Sequence, residues 1–97
     1  MSAGSNLILY DRGFLKEVRK LPIETQEKLS ELIQLLKQDV SDSRLHAKPL
    51  GPPLQGIFSF RITRDYRVAF KFEAPHAIRL LVADNRNQFY QRLKRKR

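Results

Sequence analysis

A hairpin-like pattern in the middle of the chain constrains the fold more than any other feature of the sequence. Across residues 58–70, apolar and polar residues alternate on both sides of a short polar turn, as in two antiparallel strands each buried on one face. The apolar positions are Phe58, Phe60 and Ile62, then Tyr66, Val68, Phe70 and Phe72. These faces share a core if Ile62 lies opposite Tyr66, and this register places Arg61 opposite Arg67.

The opposed pair of Arg61 and Arg67 indicates that an anion binds at this hairpin. Two like charges directly opposite each other across a strand ladder destabilise the sheet. An anion between them removes the repulsion, because a guanidinium binds anionic oxygens in bidentate geometry. The simpler interpretation is two solvated arginines on an exposed sheet face, each paired with a distant glutamate. Direct opposition favours the anion, since it costs stability when no anion is present.

The charge of the whole chain points to the same kind of partner. Nineteen Lys and Arg residues against ten Asp and Glu residues give a formal net charge of +9 on 97 residues. A field of this strength attracts nucleic acid, an anionic membrane surface or an acidic protein. No basic amphipathic helix has large apolar residues to spare for a membrane, because the core requires them. The sequence therefore predicts nucleic acid or an acidic protein as partner, and no membrane.

Length and composition predict a single domain over residues 1–97. Residues 1–6 are small and polar, so we expect them to be disordered or vector-derived, and residues 94–97 form a basic tail. The absence of cysteine excludes disulfides and thiolate metal sites and favours a reducing, cytoplasmic location. No signal peptide is visible, and no apolar run is long enough to span a bilayer.

The first half of the chain predicts one strand followed by a helical hairpin. Residues 7–10 read as a strand, and Asp11 is predicted as the N-cap of the helix that follows. Pro22 fits the first turn of a second helix, which ends in a loop at residues 41–43. The apolar residues recur at helical spacing, and they are Phe14, Leu15, Val18 and Leu21, then Leu29, Leu32, Ile33, Leu36 and Val40.

The second half predicts a small sheet and one last helix. Residues 45–56 carry three of the five prolines, which excludes a helix interior or a central strand. After the hairpin come a turn at residues 73–76, a strand apolar on both faces and a short helix over about residues 85–93. The predicted fold class is α+β, in the order β-α-α-β-β-β-α. The helical hairpin packs on a four-stranded, mainly antiparallel sheet.

An ordered series of short motifs resembles the RelE/ParE superfamily of toxin–antitoxin toxins. The series is Lys48-Pro49-Leu50, Gly56, Ser59-Phe60-Arg61-Ile62, Asp65-Tyr66-Arg67-Val68, Asn85-Arg86 and Tyr90. With the preceding strand and helices, the resemblance covers residues 7–93. It implies a small cytoplasmic bacterial or archaeal toxin that a cognate antitoxin protein neutralises. In the RelE branch, such a toxin enters the ribosomal A site and cuts mRNA there without a metal or other cofactor.

The resemblance also implies catalytic roles. Arg67 matches the arginine that RelE-like enzymes use on the scissile phosphate, and Arg61 matches a basic residue on the neighbouring strand. Tyr90 matches the C-terminal tyrosine that stacks on or polarises the substrate nucleotide. Arg86 matches the basic residue one helical turn earlier, so that a helix would carry both on one face. These four residues are the predicted catalytic set.

A second group is predicted to bind the substrate, and its members are His46, Lys48, Arg64, Lys94 and Arg95. In the YoeB branch, whose hairpin this one also resembles, a glutamate that acts as base occupies the position of Lys48. That branch also has a histidine close to the position of Arg86. This chain has neither, so the resemblance leaves the acid–base pair unassigned. The C-terminal cations would contact rRNA phosphates and make binding dependent on salt.

RNA cleavage by this route needs positive charge and a proton acceptor. The ribose 2′-hydroxyl attacks the neighbouring phosphate, which passes through a dianionic transition state that positioning and charge stabilise. Arg61 and Arg67 supply the charge. Nearby cations favour the deprotonated form of a tyrosine or lysine, so Lys48, Tyr90 and solvent are all candidates for the base.

Two other functions are open to a chain with these features. The first is a ParE-like toxin, which inhibits DNA gyrase and has no nuclease site. The tyrosine four residues after Arg86 argues against it, because that branch needs no residue to stack on a nucleotide. The second is a non-catalytic module that only binds structured RNA.

Overall fold

One mixed sheet organises the chain in the computed structural model, which describes residues 5–96. The elements are β1 (Leu7–Tyr10), α1 (Phe14–Arg19), α2 (Ile23–Gln38), β2 (Lys48–Pro49), β3 (Ile57–Arg61), β4 (Tyr66–Ala74), β5 (Ala77–Asn85) and α3 (Phe89–Lys96). The strand order is β1-β5-β4-β3-β2. Only the β1–β5 pair is parallel within residues 5–96. The predicted α+β class with a mainly antiparallel sheet and a C-terminal helix is confirmed.

Helices cover both faces of the sheet. The α1–α2 hairpin packs on one face through a core that includes Phe14, Leu29, Leu32, Leu36, Phe60, Val68, Phe70, Ile78 and Leu80. The short helix α3 packs on the other face through Phe89 and Leu93, against Ile57, Ala69 and Val82. The central strands are thus apolar on both sides, which is the pattern expected of strands between two helical layers.

The β3–β4 hairpin has the register that its alternating pattern predicts. Ile62 N–H donates to the carbonyl of Tyr66 at 2.8 Å, and Arg61 lies directly opposite Arg67. Phe60 and Val68 are paired on the buried face. The two arginines therefore share the opposite face, which is the face that α3 partly covers.

The sheet has five strands where the sequence predicts four. The additional strand β2 consists of Lys48 and Pro49, and it pairs with β3 so that Lys48 lies opposite Ser59. The prolines exclude a central strand in this segment but not an edge strand. A proline is tolerated in β2 because one side of an edge strand needs no hydrogen-bonding partner. The consequence for the site is that Lys48 becomes a neighbour of the hairpin.

The starts of two helices differ from the prediction. The N-cap of α1 is Gly13 and not Asp11. The φ of Gly13 is 84°, a left-handed conformation that glycine adopts easily, and it allows the chain to turn from β1 into the helix. The last helix begins at Phe89 rather than near Asn85, because Asn85 is the final residue of β5. Its Oδ1 accepts the N–H groups of Asn87 and Gln88 at 3.0 and 3.1 Å and thereby stabilises the turn before α3.

The two ends of the chain were predicted as separate segments. Residues 1–4 and 97 lie outside the described residues. Asn6 belonged to the predicted disordered segment, yet its backbone and side chain donate to the carbonyls of Lys37 and Leu36 at 2.7 and 2.9 Å. At the other end, Lys94 and Arg95 belong to the predicted basic tail, and in the structure they are part of α3. Within residues 5–96, no helix has the length and apolar character needed to cross a bilayer.

A bulge in β5 changes which residues face α3. Ala69 pairs with Val82 and Phe70 with Leu80, so Leu81 is an extra residue in the ladder. Without it, Val82 would lie on the same face as Leu80. With it, Leu81 and Val82 both contact the α3 layer, and Asp84 comes to lie on the face that carries the arginines.

Candidate functional site

Two cross-strand rows of side chains define a basic site on the face of the hairpin that carries α3. The first row consists of Arg61, Arg67 and Asp84, from β3, β4 and β5. The second row, two residues further along the strands, pairs Lys48 with Ser59. Since neighbouring positions on one face are within reach of long side chains, Lys48 and the arginines can contact one ligand.

A cleft of ≈ 300 Å³ lies over these rows, lined by His46, Lys48, Ser59, Phe60, Arg61 and Arg67. Ser59 is buried in this lining, and its side chain is the smallest of the six. Four of the predicted site residues thus meet in one cavity. Their catalytic or binding roles stay predictions.

The cations of the cleft lack carboxylate partners. The ion pairs seen within residues 5–96 include those of Arg44, Lys71, Arg79 and Arg92, and none of these pairs involves a cation of the cleft. The interpretation that each arginine is satisfied by a distant glutamate therefore fails for the described residues. Arg67 Nε is in addition buried and has no hydrogen-bond partner there. A buried donor without an acceptor costs free energy, and an anionic ligand oxygen would satisfy it.

His46 enters the cleft from a conformationally constrained loop. Its φ of 52° is in the left-handed region, which only a small share of residues other than glycine adopt. The preceding Leu45 is buried in the core, and His46 N–H donates to the carbonyl of Ser43 at 3.3 Å. The fold therefore holds this imidazole at the cleft at some cost in backbone energy, a feature that is common at functional sites.

The other predicted site residues lie outside the cleft lining. Arg86 is exposed in the turn before α3 rather than on the helix, so it does not share a helix face with Tyr90. Its N–H donates to the carbonyl of Asp65 at 2.8 Å, which fixes it beside the hairpin turn that contains Arg64. Tyr90 is 41% exposed on α3 and packs edge-on against Phe89. Lys94 and Arg95 are exposed on the same helix.

An ion-pair network that the sequence reasoning missed borders the site. Arg92 on α3 donates to Asp84 Oδ2 at 2.7 Å and to Glu17 on α1. Burial lowers the pKa of Arg92, but the hydrogen bonds and negative charges of Asp84 and Glu17 raise it more, so the net change is upward. Local patterning could not reveal the network, because Arg92 and Glu17 are 75 residues apart. Ser59 was also missed as a site residue, although strand alternation puts it on the face of Arg61.

The acidic and imidazole side chains do not gather into a metal site. Within residues 5–96, no group of three His, Asp or Glu side chains is arranged to hold a metal ion. The side chains that line the cleft can bind an anion electrostatically and can exchange protons at an imidazole or an ammonium group.

Comparisons with known proteins agree on the fold. No protein-family model and no curated protein matches the sequence. Among solved structures, YafQ from Escherichia coli strain BL21(DE3) matches 89% of this chain and 99% of its own, with 18% identity and a TM-score of 0.73. The chain has the RelE/ParE toxin fold. The resemblance predicted from the short motifs is thereby confirmed for the fold.

Two further structures extend this result across RelE/ParE-type proteins. The YoeB/ParE toxin from Agrobacterium tumefaciens matches 81% of this chain and 96% of its own, with 16% identity and a TM-score of 0.71. The RelBE2 toxin–antitoxin complex from Mycobacterium tuberculosis contains a chain matched over 94% of its length and 87% of this one, with 23% identity and a TM-score of 0.70. The RelE/ParE fold thus accounts for nearly all elements of this chain.

Proposed function

We propose that this protein is the toxin of a toxin–antitoxin module and an endoribonuclease that cuts mRNA in the ribosomal A site. The observation that carries the proposal is the cleft in which Arg61 and Arg67 are opposed, beside Lys48 and without carboxylate partners in the described chain. A net charge of +9 adds a field that attracts RNA. The RelE/ParE fold supports the toxin class, since RelE, YafQ and YoeB are toxins with this fold.

The proposed reaction is transesterification at one RNA phosphate. The ribose O2′ forms a bond to phosphorus while the bond from phosphorus to O5′ breaks, which leaves a 2′,3′-cyclic phosphate and a 5′-hydroxyl. Arg61 and Arg67 bind the non-bridging oxygens, on which negative charge increases in the transition state. Because both side chains lie on one face of a rigid hairpin, little reorganisation is needed when that charge develops.

We assign the proton acceptor to His46 and the proton donor to Lys48. The imidazole lines the cleft and has a ring nitrogen that can take the 2′-hydroxyl proton, whereas Tyr90 lies outside the lining. The Lys48 ammonium is a compact donor for the departing O5′. Arg86, Arg64 and Tyr90 lie around the hairpin turn and on α3, where they would contact flanking nucleotides. Lys94 and Arg95 would contact rRNA phosphates.

The proposal also assigns partners and location. The toxin would act in the cytoplasm, where ribosomes and mRNA are found, without a metal or another cofactor. A cognate antitoxin would hold it inactive, because structurally similar proteins occur in toxin–antitoxin complexes, DinJ–YafQ from Escherichia coli and RelB–RelE from Methanococcus jannaschii. Because the toxin is positively charged, we expect the segment of the antitoxin that binds it to be acidic.

The test is mRNA cleavage in a translating extract. The wild-type protein should cut mRNA only in the presence of ribosomes, and Arg67→Ala should reduce the rate by about 10²–10³, the usual effect of removing one transition-state donor. Lys71→Ala is the matched control. Lys71 is an exposed cation on β4, the strand that carries Arg67, and it is paired with Glu73. Circular dichroism of each variant establishes that it is folded.

Three results would redirect the assignment. Full activity of folded Arg67→Ala would remove Arg67 from the catalytic set. If wild-type protein leaves mRNA intact but traps gyrase on cleaved DNA, the protein acts as a ParE-like inhibitor. RNA binding without cleavage on ribosomes would instead identify a binding module.

A further inference from the structure

Asp84 occupies a position from which it could neutralise Arg67. The register of β4 and β5 pairs the two residues directly, and cross-strand neighbours of opposite charge attract each other. The extra residue Leu81 turns Asp84 onto the face that carries the cleft. A carboxylate bound to Arg67 would compete with a substrate phosphate for the same guanidinium.

Asp84 is bound by other groups instead. Its Oδ2 accepts from Arg92 Nη1 at 2.7 Å, and its Oδ1 accepts from the N–H of Asn85 at 2.7 Å. The Asp84 side chain is only 14% exposed, so both oxygens are engaged in a confined position. In the described part of the chain no ion pair joins Asp84 to Arg67, and Arg67 Nε has no hydrogen-bond partner.

Arg92 is itself fixed from two sides. Its Nη2 donates to Glu17, and the second oxygen of Glu17 accepts from the N–H of Ala83 at 3.0 Å. Glu17 is buried on α1, whereas Arg92 lies on α3 next to Leu93, which is fully buried. The direction of the Arg92 guanidinium is therefore set by two helices and the sheet, and it stays directed at Asp84.

We propose that Arg92 is a positioning residue that keeps Asp84 away from Arg67, so that the Arg67 guanidinium stays available to an RNA phosphate. The inference rests on the proposed function, because that function assigns Arg67 to the phosphate. Arg92 does not touch the substrate in this scheme. It acts only through Asp84.

A purely structural role for Arg92 predicts different behaviour. If Arg92 only attaches α3 to α1 and the sheet, folded Arg92→Met should bind RNA like wild type, and the environment of the Arg67 side chain should not change. If Arg92 restrains a competing carboxylate, folded Arg92→Met should lose affinity, and removal of Asp84 should restore it. Affinity and the state of Arg67 in the folded variants therefore separate the two roles, whereas stability does not, because removal of an unpaired buried carboxylate raises stability in either case.

The experiment measures RNA binding and cleavage for Arg92→Met, Asp84→Asn and the double variant. Methionine keeps much of the apolar stem and removes the charge. The binding probe is a trinucleotide with 2′-deoxyribose at its first and central positions, so that neither of its phosphates can be cut by 2′-hydroxyl attack. We expect Arg92→Met to weaken its binding and lower kcat on ribosomes about tenfold, the equivalent of one charged hydrogen bond. The double variant should regain affinity and kcat to within about threefold of wild type.

Two additions keep the test decisive. Arg92→Lys is the second variant if Arg92→Met does not fold, because lysine retains the charge but makes a single point contact. It should lose less affinity, and Asp84→Asn should restore it. The ¹⁵N resonance of Arg67 Nε reports directly on the competitor, since it should shift in Arg92→Met and return in the double variant.

The outcomes are distinguishable from failure of the proposed function. Absence of rescue in a folded double variant, with an unchanged Arg67 resonance, overturns the positioning role. If none of the proteins cuts RNA, the nuclease proposal fails. The trinucleotide affinities and the Arg67 resonance then still decide whether Arg92 protects Arg67.

Discussion

Replacing Arg61 by threonine should make the free protein more stable while it removes the proposed activity. Arg61 lies directly opposite Arg67 on the β3–β4 ladder and is exposed, so its removal creates no cavity. Neither arginine has a carboxylate partner among the described residues, so their repulsion is not offset locally. Threonine is β-branched and favours a strand.

The expected gain follows from the geometry of the pair. Two unit charges about 5 Å apart in water repel by about 0.8 kcal/mol, and directly opposed like charges in a sheet cost about 0.2–1 kcal/mol. For a domain of this size, the corresponding rise in Tm is about 3–6 °C. At about 1 M salt the screening length falls to about 3 Å, so this electrostatic gain should disappear, whereas any gain from the strand preference of threonine should not.

The assay is thermal unfolding by circular dichroism at low and high salt. Lys71→Thr is the control, because Lys71 lies opposite Arg79 but Glu73 pairs with both cations, at 3.6 and 3.0 Å, so the repulsion is already offset there and its removal should give little gain. Added phosphate should raise the Tm of wild type more than that of Arg61→Thr. A lower Tm for Arg61→Thr at low salt, or a gain over Lys71→Thr that persists at high salt, would refute the reasoning.

The remaining predictions concern the base, the last helix and one exposed carboxylate. His46→Gln should lower kcat about 10²–10⁴-fold, because a glutamine amide cannot accept the 2′-hydroxyl proton, and an unchanged kcat in the folded variant would exclude His46 as base. Leu93→Ala should cost about 2–5 kcal/mol in unfolding experiments, because Leu93 is fully buried and a short isolated helix is unstable. Hydrogen bonds from the side chain and backbone of Arg44 lower the pKa of Asp42 from 3.8 to about 2, so this contact should contribute stability above about pH 4 and lose it as the pH falls toward about 2. An NMR titration of Asp42 in wild type and Arg44→Ala checks this, and an identical pKa in both proteins would contradict it.

The part of the site that could be predicted from the sequence depends on local chain geometry. A hairpin with a short turn has few registers, and only one of them buries both apolar faces, so the opposition of Arg61 and Arg67 could be deduced. The same alternation puts Ser59 beside Arg61. The helical stripe of α2 is a local pattern too, and its leucines are buried as expected.

The parts that could not be predicted depend on tertiary contacts or on small backbone choices. The two-residue strand β2, which brings Lys48 to the cleft, has no periodicity to detect. The extra residue Leu81 determines the face on which Asp84 lies. This bulge cannot be recognised from the sequence, because Leu81 stands in a run of apolar residues. Arg92 and Glu17 meet only because two helices pack around the end of β5. The start of α3 at Phe89 follows a turn in which Asn85 Oδ1 accepts the N–H groups of Asn87 and Gln88. Apolar periodicity does not reveal such a side-chain contact.

The central claim is that the cleft binds an RNA phosphate and directs 2′-hydroxyl attack on it. The most direct measurement is single-turnover cleavage of mRNA on purified ribosomal complexes, with ribose or 2′-deoxyribose at the cleaved nucleotide of the A-site codon. The account predicts a 2′,3′-cyclic phosphate and a 5′-hydroxyl from the ribose substrate, and an intact mRNA when that one 2′-hydroxyl is missing. Equal cleavage of both substrates, or a product with a 5′-phosphate, would contradict it.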